Sequence, residues 1–137
     1  MTRYQLFPEY CAAGWVARNT SCFKLSESEK AWEDGETHCQ LEGGHLTSVH
    51  SAEENMFLHG FSFTPDSFWL GGKNEGIWKW TDGTSFSFTD WGPGEPDGGK
   101  GDCLEKQNSR NGWWNDRLCT DQLKFMCKVT IGEGLSI

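Results

Sequence analysis

Hydrophobic and polar positions alternate along this chain in two periods, and the places where the period changes mark its elements. Trp15-Val16-Ala17 and Ser21-Cys22-Phe23-Lys24-Leu25 flank Arg18-Asn19-Thr20 and predict a β-hairpin. After Ser26 the period lengthens. Ala31, Trp32, Gly35 and Cys39 fall on one face and Glu29, Lys30, Glu33 and Asp34 on the other, which predicts a first helix. The acids from Glu27 to Glu36 read as its solvated side. Gly43-Gly44 stops the helix, and His45 to Val49 reads as a short strand. Ser51-Ala52-Glu53-Glu54 forms a capping box, with Ser51 accepting the Glu54 amide, and opens a second helix over Ala52 to His59.

The second half reads as strands around a loop. Phe68 to Gly72 and Trp78-Lys79-Trp80 are strand-like, whereas Asp82 to Lys100 holds seven Gly or Pro residues. A loop of that length in a compact domain is usually a binding loop, or is pinned by ions or disulfides. Asp102 to Glu105 resumes a strand, Asn111-Gly112 makes a turn, and Phe125 to Lys128 closes the sheet. Trp32, Trp69, Trp80 and Trp114 are assigned to the core, and Trp113, adjacent to Trp114 on a strand, to the opposite face. The pattern shows neither repeat nor linker, so a single domain over residues 1–137 is expected.

Composition narrows the function. The formal charge is -8, with 20 acids against 12 Lys and Arg, which opposes nucleic-acid binding. No apolar run approaches the roughly twenty residues of a membrane span. Met1-Thr2-Arg3-Tyr4-Gln5 lacks the apolar core of a signal peptide, which fits a mature form restarted with Met1. Six cysteines, at 11, 22, 39, 103, 119 and 127, include no C-x-x-C pair, and the four His have no metal spacing, so zinc is not expected. An even cysteine count in a small acidic chain predicts disulfides and a secreted, extracellular location, although spacing leaves all fifteen pairings open. The sequon Asn19-Thr20-Ser21 is consistent with that compartment.

Two short motifs carry the chemistry: Glu95-Pro96-Asp97 in the loop and Trp114-Asn115-Asp116 on a following strand. Calcium takes six to eight hard oxygen ligands, and these acids and this amide supply most of them if brought together. A sugar with two neighbouring hydroxyls could complete the set, each hydroxyl binding the ion and hydrogen-bonding to a side chain that also holds it. A cis bond before Pro96 would aim Glu95 and Asp97 at one point.

Glu95-Pro96-Asp97 resembles the E-P-N or Q-P-D loop of C-type lectins, and Trp114-Asn115-Asp116 matches their W-N-D. Trp69-Leu70-Gly71-Gly72 resembles their W-I-G-L segment, and Trp32 to Cys39 with Gly43-Gly44-His45-Leu46 resembles their first helix and its exit. The resemblance implies an α+β C-type lectin-like fold with two helices, small antiparallel sheets, a long calcium-stabilised loop and three disulfides: Cys11-Cys22, Cys39-Cys127 and Cys103-Cys119. It also implies a soluble Ca2+-dependent sugar-binding protein acting in innate glycan recognition.

Two departures bear on the site. The family's acid two residues before the cysteine after the loop is here Gly101. Glu95, Asp97 and Asp116 against Asn115 restore the same charge of minus three, so Asp97 is expected to replace it, with Asp102 a further ligand if the loop bends towards the ion. The auxiliary calcium region around Asn74 and Glu75 is shortened, which weakens a second site. Glu95-Pro96-Asp97 also offers two acceptors and no amide, leaving Asn115 as the side-chain donor. Selectivity is therefore expected to be loose. It leans to mannose-like over galactose-like sugars, because Gly98-Gly99-Lys100 has no stacking ring, although Trp113 could offer one.

Other classes fit less well. No Ser sits in a G-x-S-x-G setting, and acids held ionised by calcium lack the raised pKa of a glycosidase's general acid, so no enzyme activity is expected. The alternative is a protein- or ice-binding domain of the same fold without sugar binding. Single lectin sites are weak, so a homodimer or higher oligomer is expected.

Overall fold

A computed structural model of the chain describes residues 11–61, 66–99 and 101–131. Met1 to Gln5 and Lys100 lie outside the described residues.

The hairpin forms where the alternation places it. Strand β1 (Val16–Arg18) pairs with β2 (Ser21–Leu25), and Arg18 opposite Ser21 leaves Asn19-Thr20 as the turn. Asn19 has φ 55°, a left-handed conformation that Asn tolerates better than most residues. Helix α1 (Trp32–Leu41) buries Trp32, Gly35, Glu36 and Cys39. Gly35 permits close approach to the ring of Phe125, which lies 3.2 Å from where a Cβ would stand. Glu36 departs from the expected solvated face. Its carboxylate is buried because it accepts from the Leu46 amide (2.8 Å) and Gln40 Nε2 (2.8 Å) and meets His45 Nδ1 at 2.6 Å.

Helix α2 (Ala52–His59) has the expected bounds, and Ser51 Oγ accepts the Glu54 amide at 3.0 Å. Glu54 reaches one residue further back than a capping box requires, accepting from the His50 amide at 2.8 Å. Its other oxygen accepts from Lys128 Nζ at 2.9 Å.

The remaining strands are β3 (His45–Leu46), β4 (Ser67–Asn74), β5 (Trp78–Trp80), β6 (Cys103–Gln107), β7 (Trp113–Arg117) and β8 (Lys124–Thr130). They run in the order β1-β2-β8-β4-β6-β7, with β3 on β8 and β5 on β4. The sheet is not antiparallel throughout. Strand β4 meets β8 in parallel, Phe68 opposite Lys124 and Trp69 opposite Phe125, a pairing between distant segments that local periodicity does not encode. Central β4 is buried on both faces. Phe68 and Leu70 join a core of Phe23, Val49, Leu58, Trp80, Leu104, Trp114 and Met126, while Trp69 packs with Trp32, Leu46, Leu123 and Phe125. Disulfides Cys11-Cys22, Cys39-Cys127 and Cys103-Cys119 tie hairpin, α1 to β8, and β6 to the segment after β7. Among the described residues, no helix is long and apolar enough to cross a membrane.

Candidate functional site

The long loop reaches β7 through backbone contacts at Trp114. The Trp114 amide donates to Asp90 O (2.9 Å), and the Gly92 amide donates to Trp114 O (3.0 Å). Beneath it, Phe86, Phe88 and Trp91 pack around the Trp114 ring at centroid distances of 6.3, 5.8 and 5.8 Å. A polar anchor adds to this aromatic seat. Asn55 Nδ2 of α2 donates to Asp90 Oδ2 at 2.8 Å, and Asn55 Oδ1 accepts from Trp114 Nε1 (3.1 Å) and Lys106 Nζ (3.2 Å).

The loop thereby carries Glu95 and Asp97 to Asp116, and one carboxylate oxygen from each lies within 4.8 Å of the others. The Glu95-Pro96 peptide is cis. Backbone amides line Asp116: Asp97 N donates to Oδ1 at 3.3 Å and Gly98 N to Oδ2 at 3.1 Å. Asp97 N also faces Glu95 Oε1 at 3.1 Å. The Glu95 carboxyl is pushed above its ordinary value, first by lost hydration, then by its hydrogen bond to Asp116 and by the charges of Asp97 and Asp116. Three carboxylates this close repel one another, and the donor set fits a hard divalent cation such as calcium.

Alternation along β7 sorts its residues. Trp114 and Asp116 are buried, whereas Trp113, Asn115 and Arg117 share the other face and are partly exposed. Asn115 Nδ2 donates to Glu105 Oε2 at 2.7 Å. Trp113 lies against Gly92, where an added Cβ would meet its Cβ at 3.2 Å.

Asp102 stands apart from the three-carboxylate group: its side chain is exposed, and its backbone carbonyl accepts the Asn74 amide at 2.8 Å. Around Asn74 and Glu75 the chain closes on itself, with Gly76 N donating to Asn74 Oδ1 (3.1 Å) and Glu75 N to Ile77 O (2.9 Å). No second group of this kind occurs among the described residues. Glu105, Asn55, Asp90 and Lys106 were not foreseen as supports of the site. Each reads in sequence as an ordinary surface polar residue, and only its neighbours in space reveal its burial or its partner.

Residues 28–129 match the family model described as Lectin C-type domain. Asialoglycoprotein receptor 2 of Homo sapiens is 36% identical over 128 residues, which cover 86% of this chain and 40% of the receptor, so the chain spans less than half of that relative. The carbohydrate-recognition domain of cow CD23, solved in the presence of a GlcNAc2Man3 oligosaccharide, is similar at TM-score 0.80 and 30% identity, covering 88% of this chain and 95% of that one. A calcium-independent type II antifreeze protein is equally similar, at TM-score 0.80 and 30% identity, covering 88% and 94%. With a family match across most of its length and relatives above 30% identity, the chain belongs to the C-type lectin domain family.

Proposed function

We propose that this domain is a calcium-dependent lectin module without enzymatic activity, in which Glu95, Asp97, Asn115 and Asp116 hold one calcium ion and, with it, a sugar. The observation that carries this reading is the convergence of the Glu95, Asp97 and Asp116 oxygens within 4.8 Å. Calcium bound there would supply a hard positive centre able to take two neighbouring sugar hydroxyls. The chain's own part is to present acceptors from Glu95 and Asp97 and one donor from Asn115, a polarity that discriminates weakly between hydroxyl arrangements. Mannose-like ligands are favoured over galactose-like ones, because Gly98 and Gly99 offer no ring for stacking. Trp113 is the candidate to rest on the sugar face.

Three disulfides support a secreted protein acting on extracellular glycans, with weak single sites made useful by oligomerisation. The test is glycan-array binding of the oxidised protein with calcium and again with a chelator, with free mannose and galactose as competitors. Chelator-sensitive binding with mannose the better competitor is the expected result. Binding indifferent to chelation would sink the calcium mechanism, and no binding at all would sink the lectin reading and favour a protein- or ice-binding role, to which the similarity with a calcium-independent antifreeze protein lends support.

A further inference from the structure

Strand β6 carries at its centre a carboxylate that the proposed calcium site does not use. Glu105 is only 1% exposed. A lone buried carboxylate is costly, yet this one is fully partnered. Arg117 Nη1 donates to Oε1 at 2.9 Å, while Asn115 Nδ2 at 2.7 Å and Gln107 Nε2 at 3.1 Å share Oε2. Arg117 is held in turn by Asp121, with Nε 2.8 Å from Oδ2. The sheet register makes Asn115 the direct cross-strand partner of Glu105, so their bond is built into the β6-β7 pairing.

We infer that Glu105 is a positioning residue that sets the orientation of the Asn115 carboxamide. A carboxylate can only accept, so it selects Nδ2 and turns Oδ1 away from itself. Oδ1 is the atom a hard cation binds. One Nδ2 hydrogen is committed to Glu105 and one remains for a sugar hydroxyl. The nearby negative charge also polarises the amide and makes Oδ1 a better ligand. The consequence for calcium rests on the function proposed above; the orientation itself does not.

The first readout needs no metal. In 15N-labelled calcium-free protein, the Asn115 side-chain amide, assigned by its disappearance in N115D, is expected to show one downfield, slowly exchanging proton that moves upfield in E105Q. The second is calorimetric. Folded E105Q is expected to bind calcium roughly tenfold more weakly than the unaltered protein, the scale on which groups behind metal ligands act. Unshifted Asn115 protons in the unaltered protein would overturn the orienting role, and unchanged calcium affinity in folded E105Q would overturn its consequence for the metal. If E105Q does not fold, the spectrum of the unaltered protein decides alone. A shifted proton in a protein that binds no calcium would sink the calcium reading and leave the orienting role intact.

Discussion

A Cβ at position 101 would stand 2.0 Å from the carbonyl carbon and 2.1 Å from the oxygen of Arg117, distances that real side chains do not tolerate. The family pattern has an acid there, so G101E is the obvious attempt to strengthen calcium binding. The expected outcome is the reverse. The β7 backbone would have to move, taking Arg117 off Glu105 and disturbing Asn115 and Asp116. A loss of about 1–3 kcal/mol, typical of overpacking, should appear in thermal unfolding under chelation, with no gain in a calcium titration. Tighter calcium binding at unchanged stability would contradict the crowding. At this scale the acids Glu95, Asp97 and Asp116, whose oxygens converge in the fold, were legible in the sequence, because two short motifs spell them out. The burial of Glu36 and Glu105 was not, because a carboxylate looks the same in sequence whether or not Leu46, His45, Arg117 and Asn115 surround it.

Elements hold the long loop in place, and one titratable group reports on that anchorage. Lys106 on β6 is 1% exposed and donates to Gly112 O (2.9 Å) and Asn55 Oδ1 (3.2 Å). Burial lowers its pKa from 10.5 to about 8, against a smaller raising effect of Asp90. The folded pKa lies below the unfolded one, so the unfolded chain binds more protons between these values. Stability should therefore rise as pH increases from about 8 to 10.5, by on the order of 3 kcal/mol at 1.36 kcal/mol per unit. Urea unfolding at both ends of that window should show the rise in the unaltered protein and lose it in K106M. Equal slopes would mean that the ammonium stays hydrated in the fold. Helix α2 was readable to the residue because its cap, Ser51, and its first turn are local in sequence. The parallel meeting of β4 and β8 was not, since either strand alone is compatible with both directions.

Across the whole molecule, the disulfide Cys39-Cys127 joins α1 to the closing strand over a separation of 88 residues, whereas Cys11-Cys22 spans 11. Loop-closure entropy makes the long bridge the more stabilising. Replacing Cys39 and Cys127 together with Ala should cost on the order of 4 kcal/mol in denaturant unfolding, more than the same change at Cys11 and Cys22. Equal costs would show that loop closure does not govern how much each bridge stabilises. The sequence by itself determined the hairpin, both helices, the indole core, the even cysteine count and the pair of acidic motifs. These are carried either by residues a few positions apart or by residue type alone, and neither needs knowledge of which distant parts of the chain become neighbours. Only the tertiary structure decided which buried acid holds which amide, how Asp90 and Asn55 seat the loop, and why position 101 admits no side chain. Each of these depends on which distant strands become neighbours, and that is settled by the packing of the whole core.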